Sequence, residues 1–345
     1  RCAPASYFGD PITPQSEVME TLRELEPWKT TGMVVLQAES EVSAANMVYG
    51  AAGCGKKIIT SSSSPGISLM AEAMSYMAGA ELPCVIVNVT RGGPGLGTIQ
   101  PSQGDYFQAV KSPGHGDFHL IVLAPNSVQE MHDHVFLGFD LAFKYRNPVM
   151  ILTDGVIGQM MERVELSEQV PRMSNEEIVE KYGKDWALTG KTEDRPEHII
   201  TSLEIDPYKQ EKVNEHLTAK YNRLKEEDVL YEEYMTDDAE YIIVAFGSSA
   251  RICSATVEMA REAGHKVGLI RPITLFPFPT KRIAELASRG VKGFLTAELN
   301  TGQMVEDVRL AVNGKAPVEH YGRAGGAVFA PDEVYDALIS KTIKK

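Results

Sequence analysis

The chain has 345 residues, enough for two α/β domains and a connecting segment, each domain with its own core. Hydrophobic residues make up 43% and charged residues 23%, ordinary globular values, and no apolar run reaches the roughly 20 residues that cross a bilayer, which argues against a membrane protein. A net charge of −13 argues against a nucleic-acid-binding surface, because phosphate recognition draws on clustered Lys and Arg, outnumbered here 34 to 47 by Asp and Glu.

From the N-terminus, residues 1 to 8 run almost directly into Gly9-Asp10-Pro11-Ile12-Thr13-Pro14-Gln15, so the first helix usual in such a domain is expected to be missing or to lie outside this chain. A helix is predicted over Pro14 to Leu25, with Thr13 as a natural N-cap and Pro14 at the first helical position. That is a well-made helix start, and it also presents N–H donors and a hydroxyl suited to an anion such as a carboxylate. A strand follows at Val34 to Gln37 and a helix at Glu41 to Ala52. Glu39 and Glu41 stand where these meet, the crevice in which doubly wound sheets bind ligands. Glu39 reads as a first-turn acid favoured by the helix dipole. Glu41 reads as the same thing or as a group in an enclosed site, since Ala44, Ala45 and Gly50 to Gly53 suit close packing.

Gly50 to Lys57, GAAGCGKK, matches a phosphate loop up to its last position. The order is wrong for one: a helical pattern precedes the glycines and the strand KIIT follows, and Lys57 replaces the Ser or Thr that would hold magnesium. A helix end with a glycine turn is the reading adopted. The strand Lys57 to Ser61 leads into Ser61-Ser62-Ser63-Ser64-Pro65-Gly66, a turn exposing backbone and hydroxyl donors, then a helix at Ile67 to Ala80. After a strand at Cys84 to Val89 comes Arg91-Gly92-Gly93-Pro94-Gly95-Leu96-Gly97, which puts one cation beside a glycine loop. Arg91 is either a solvated loop residue or a fork for a carboxylate. A strand at His119 to Leu123, a helix at Val128 to Tyr145 and a strand at Val149 to Thr153 complete a doubly wound parallel sheet over residues 1–165.

Residues 166–238 read as a charged, partly helical connector, and residues 239–345 as a smaller α/β domain. Its strands are YIIVAFG, KVGLIRP and GFLTAEL, its helices Ala255 to Ala263, Lys281 to Ala287 and Met304 to Val312. No GxGxxG follows a strand, so a nicotinamide dinucleotide fold is unsupported. His132 and His134, two apart on a helix, face different directions, and no metal site is expected. Cys2, Cys54, Cys84 and Cys253 form no CxxC pair, so any zinc or iron–sulfur site must lie on another chain. Their scatter and the absence of a signal-peptide pattern fit a cytoplasmic location.

These pieces in this order resemble the α subunit of 2-oxoacid:ferredoxin oxidoreductases over nearly the whole chain. The residues that carry the likeness are PITPQSE, the SE of QAESEV, SSSPG and RGGPGLG in the first domain, with RPITLFPFP and ELNTGQM in the second. The resemblance implies a first domain like the pyrimidine-binding domain of thiamine enzymes and a second like the transketolase C-terminal domain. It implies a thiamine diphosphate site shared with a partner chain. Glu41 would contact the aminopyrimidine ring as the catalytic carboxyl, with Pro11, Thr13, Ser64 and Pro65 beside the cofactor, and Thr13 and Arg91 at the substrate carboxylate. A carboxyl hydrogen-bonded to that ring favours the imino tautomer, which removes the thiazolium C2 proton. Thiamine enzymes hold diphosphate and magnesium through a GDG sequence, and this chain has none. The resemblance therefore places Mg2+ on a β-type subunit and [4Fe-4S] clusters on ferredoxin-like subunits, with coenzyme A as co-substrate, external ferredoxin as acceptor and two copies of this chain per hetero-oligomer. RGGPGLGTIQPSQGDYFQAVK and HGDFHLIVLAP are most similar to the 2-oxoisovalerate branch, the 2-oxoglutarate branch being next.

Overall fold

Short runs of Val, Ile and Leu between helices dictate a parallel sheet, because only buried strands with helices on both faces tolerate such continuous apolarity. The computed structural model describes residues 2–344 except 112, 194 and 196. Strands β1 (Ser6–Gly9), β2 (Val34–Gln37), β3 (Ile58–Ser62), β4 (Val85–Thr90), β5 (Ile121–Leu123) and β6 (Val149–Asp154) form the first sheet with β10 (Thr274–Phe276). Strands β7 (Tyr231–Tyr234), β8 (Tyr241–Val244), β9 (Val267–Pro272), β11 (Gly293–Glu298) and β12 (Val318–Gly322) form the second. The helices are α1 (Ser16–Leu25), α2 (Pro27–Thr30), α3 (Glu41–Ala52), α4 (Ser64–Gly79), α5 (Tyr106–Val110), α6 (Val128–Tyr145) and α7 (Gly155–Gln159). They continue with α8 (Asn175–Tyr182), α9 (Pro207–Glu227), α10 (Gly247–Glu262), α11 (Thr280–Ser288), α12 (Met304–Val312) and α13 (Pro331–Ala337).

The first sheet runs β10-β5-β6-β4-β3-β1-β2, parallel throughout except that β10 is antiparallel to β5. Every residue of β4 and β6 is buried, as expected of central strands. Because β2 and β3 flank β1, the strand order reverses at β1, and the crevice beside such a reversal is where open α/β sheets bind ligands. The second sheet runs β12-β11-β8-β9-β7, with β7 antiparallel to β9.

Two strands cross the division read from the sequence. β7, from the charged stretch, edges the second sheet, and β10 leaves the second half of the chain to edge the first. Between them sits Arg271, 2% exposed, whose guanidinium forks onto both Glu130 oxygens (2.8 and 2.7 Å) and reaches Glu232 (3.0 Å), tying α6 to β9 and β7.

The glycine segment after α3 is a turn, with Gly55 at φ +73° and its N–H on the Ala52 carbonyl (3.0 Å), as the sequence implied. The first helix differs from expectation. It begins at Ser16 with Gln15 in the N-cap place, not at Pro14 with Thr13 as cap. The reason is a turn closed by the Gln15 N–H on the Ile12 carbonyl (2.9 Å), which keeps Thr13 and Pro14 out of the helix. The histidines are occupied separately: His119 stacks on Phe276 with ring centres 4.0 Å apart, His115 meets Tyr76 edge-on, and His132 bonds Asp133. No described helix is long and apolar enough to cross a membrane.

Candidate active site

Four parallel strands, adjacent in the order β4-β3-β1-β2, each end in a segment singled out in the sequence: Arg91 after β4, Ser64 and Pro65 after β3, Pro11 and Thr13 after β1, Glu41 after β2. One sheet edge therefore gathers all six.

Glu41 opens α3, whose N-cap Ser40 accepts the Ser43 N–H (3.3 Å). The side chain is folded inward, leaving the residue 7% exposed. Its neighbour is Gly66 in the first turn of α4, where a Cβ would run into both the Glu41 Oε1 and the Ser62 hydroxyl. Glycine is thus required for the carboxyl to lie there. Among the described residues the Glu41 carboxylate has no hydrogen-bond or ion-pair partner. The residue is buried but its oxygens keep some access to solvent, so the carboxyl is free to bond an incoming ligand. The hydroxyls of Thr60, Ser62 and Ser63 nearby in β3 and its turn are fully buried without protein partners. Glu39, by contrast, is exposed and takes the Ser43 hydroxyl (3.1 Å); it precedes the N-cap Ser40, so it lies just outside the first turn expected of it, and the first-turn acid is Glu41.

Arg91 is half-buried. Its Nη1 donates to the Thr13 carbonyl (2.9 Å), its Nε is buried with no partner, and no described carboxylate pairs with it. Thr13 itself is exposed and Pro11 half-buried, both in the loop after β1. Ser64 joins the two neighbouring segments, its hydroxyl accepting the Arg91 N–H (3.1 Å). The glycine loop beyond Arg91 folds back through Thr98 N–H to Gly92 carbonyl (2.8 Å) and Gly92 N–H to Gln100 carbonyl (2.9 Å). Pro65 sits in the first turn of α4, half-buried.

Two residues that hold this edge together were not read from the sequence. Gln15, 2% exposed, accepts the Ser61 hydroxyl (2.6 Å) and donates to the Asp10 carbonyl (3.2 Å), with Tyr7 on Ser61 (2.7 Å), so the loop carrying Pro11 and Thr13 is moored to β3. Asp105 accepts from Asn88 (3.0 Å) and Ser64, and burial pushes its carboxyl up against those hydrogen bonds. A polar residue within the PITPQSE run was the available signal for Gln15; nothing local marked Asp105.

The second-domain motifs serve the joint between sheets. Glu298, fully buried, accepts the N–H groups of Met304 (2.7 Å), Val305 (3.0 Å) and Gln303 (3.2 Å) and the Asn300 amide (3.0 Å). Burial pushes its carboxyl up, but His320 and these donors outweigh burial and hold it below the ordinary value. Asn300 reaches the Gln103 carbonyl (2.8 Å), and the Gln103 side chain donates to Phe246 carbonyl (2.8 Å) while accepting from Ser249 (2.6 Å) and the Leu299 N–H (3.0 Å). Asp154, at the end of β6, takes the Ser248 hydroxyl and the Val156 N–H (2.8 Å); burial raises its pKa against them. Cavities of about 910 and 760 Å3 lie elsewhere, lined by residues such as Tyr7 and Met33 or Phe139 and Phe143, and neither includes Glu41 or Arg91.

Comparison with known proteins gives this edge a context. The model of the family described as "Pyruvate flavodoxin/ferredoxin oxidoreductase, thiamine diP-bdg" matches residues 2–233, and that of "Pyruvate:ferredoxin oxidoreductase core domain II" matches 239–334. The ketoisovalerate oxidoreductase subunit VorB of Methanothermobacter thermautotrophicus is 48% identical over 332 residues, 96% of this chain and 91% of that one. The 2-oxoglutarate synthase subunit KorA of Methanothermobacter marburgensis is 34% identical over 355 residues, 96% of this chain and 93% of its own. Among solved structures, the 2-oxoglutarate:ferredoxin oxidoreductase of Magnetococcus marinus, solved with 2-oxoglutarate, coenzyme A and succinyl-CoA, superposes with a TM-score of 0.82 at 26% identity; the match covers 98% of this chain and 62% of that chain. With both domains matched and nearly half the residues shared with a full-length relative, the chain belongs to the 2-oxoacid:ferredoxin oxidoreductase family, as a subunit carrying its thiamine-diphosphate-binding fold and its second core domain.

Proposed function

We propose that this chain is the α-type subunit of an enzyme that oxidatively decarboxylates 2-oxoisovalerate and other branched-chain 2-oxoacids to acyl-CoA with reduction of ferredoxin. The observation that carries the reading is the inward-folded Glu41, which has no partner for its carboxyl among the described residues and lies against Gly66. Thiamine diphosphate, when bound, supplies a nucleophilic carbon for attack on the 2-oxo group. The residues here fit it: Glu41 is positioned to hydrogen-bond a ring nitrogen, Gly66 leaves room for that approach, and Pro11, Thr13, Ser64 and Pro65 wall the same edge. Arg91, with an unused Nε and no carboxylate of its own, would receive the substrate carboxylate beside the Thr13 hydroxyl.

A chain lacking GDG needs a β-type partner for the diphosphate and Mg2+, and one lacking paired cysteines needs ferredoxin-like subunits for [4Fe-4S] clusters. We take residues 1–165, 166–238 and 239–345 as pyrimidine-binding unit, connector and transketolase-like unit, in a cytoplasmic hetero-oligomer with two copies of this chain. Greater identity to VorB than to KorA supports the branched-chain substrate over 2-oxoglutarate. Reduction of a viologen dye by the purified complex, measured side by side with 2-oxoisovalerate, 2-oxoglutarate and pyruvate in the presence of coenzyme A, tests this. The highest kcat/KM is expected with 2-oxoisovalerate; preference for 2-oxoglutarate would transfer the assignment to that branch.

A further inference from the structure

Asp105 precedes helix α5 at a place where an aspartate ordinarily caps, yet its side chain caps nothing. It turns instead to the Asn88 amide (3.0 Å) and the Ser64 hydroxyl, and Ser64 in turn accepts the Arg91 N–H (3.1 Å). The Ser64 Oγ also lies 3.4 Å from the Arg91 carbonyl, but its one proton goes to the stronger acceptor, the carboxylate, which leaves the lone pairs for the Arg91 N–H. The segment bearing Asp105 is itself fastened to the second domain. Gln103 bonds Phe246, Ser249, Leu299 and Asn300; the Gly104 carbonyl takes the Gln303 amide (2.7 Å), the Phe107 N–H reaches the Gln303 Oε1 (2.7 Å), and Tyr106 donates to Asp307 (2.6 Å).

We propose that Asp105 is a positioning residue for Arg91, and that through the relay Asp105–Ser64–Arg91 the second domain sets where the guanidinium lies. This rests on the reading of Arg91 as the substrate-carboxylate site. It gives the second domain, which contributes none of the six edge residues, a part in substrate binding.

The test is steady-state kinetics of the reconstituted complex with Asp105→Ala, Asp105→Asn, Arg91→Ala and the double variant Arg91→Ala/Asp105→Ala. Asp105→Ala is expected to raise KM for the 2-oxoacid about tenfold with kcat within about twofold, the signature of lost binding common to ground and transition states. Asp105→Asn should stay within about threefold of wild type, since its amide oxygen still accepts from Ser64 and its NH2 can meet the partnerless Oδ1 of Asn88. Adding Asp105→Ala to Arg91→Ala should change KM no further, because the relay then positions nothing. If Arg91→Ala leaves KM unaltered, the assignment of Arg91 falls. If Arg91→Ala raises KM but Asp105→Ala does not, or the two effects simply multiply, the relay is overturned and the assignment of Arg91 stands. Should Asp105→Ala fail to assemble, Asp105→Ser, which removes the carboxylate but keeps a small polar side chain, carries the same expectations for KM and kcat.

Discussion

The strand-end edge and the domain joint are built from the same kinds of residue and use them oppositely. At the joint, Glu298, Gln103 and Arg271 are each surrounded by several partners, those of Gln103 and Arg271 far away in sequence and those of Glu298 at the start of the next helix. At the edge, the inward-folded Glu41 has none among the described residues, Arg91 keeps a buried Nε without a partner, and three buried hydroxyls of the β3 segment go unused. Burial alone does not separate a structural polar group from a functional one; satisfaction does. A satisfied buried group holds the chain together, and an unsatisfied one at a sheet edge is kept for a ligand at some expense to the fold.

That contrast is sharpest under substitution. Glu41→Ala should lower 2-oxoacid oxidation by the complex about 10²- to 10⁴-fold, the range for loss of a group that moves a proton, while the unfolding midpoint of the chain stays level because no protein contact of the carboxyl is lost. Arg271→Ala should do the reverse. It is expected to cost about 3 kcal/mol of stability, the lower end for breaking a buried pair because Glu232 keeps access to water, with activity per folded complex retained; denaturant unfolding and active-site titration check both halves.

Acid titration sharpens the comparison within the joint itself. Glu298 is held below its ordinary value in the fold, so its stabilisation is fully present above about pH 4.3 and is lost as pH falls through the folded pKa; Glu298→Gln should erase that acid-side decline. Asp154 is raised, so its folded state favours the neutral form: its contribution is fully present below about pH 3.9 and lost as pH rises through the folded pKa. Asp154→Asn, which keeps an acceptor for Ser248, should therefore shift stability at neutral pH by no more than about 1 kcal/mol, in the stabilising direction. Unfolding midpoints across pH 3 to 8 for both variants decide it.

Long periodic elements were legible from sequence: α3 and α6 fall at the predicted Glu41–Ala52 and Val128–Tyr145 because their apolar spacing and Ser caps are local features. The strands β1, β7, β10 and β12 were not. Ser6–Gly9 and Thr274–Phe276 are four and three residues long, and Tyr231–Tyr234 reads as charged; each is a strand only because a distant partner pairs with it. The site divides the same way. Glu41, Ser64 and Arg91 could be named from motifs at strand ends, but that Gly66 admits the carboxyl, that Gln15 moors the Thr13 loop and that Asp105 backs Ser64 are facts of three-dimensional proximity. Thr13 was misread as a cap because its local sequence suits one and the Ile12–Gln15 turn that displaces it leaves no separate mark.

The most direct measurement is the rate of deuterium exchange at the thiazolium C2 of thiamine diphosphate bound to the reconstituted complex, wild type against Glu41→Gln, read by quenched proton NMR. A slowing of about 100-fold or more with the cofactor still bound is expected if Glu41 governs that proton through the ring. Exchange at the wild-type rate in the variant would contradict it, and with it the view that the fold buries this carboxyl for the cofactor.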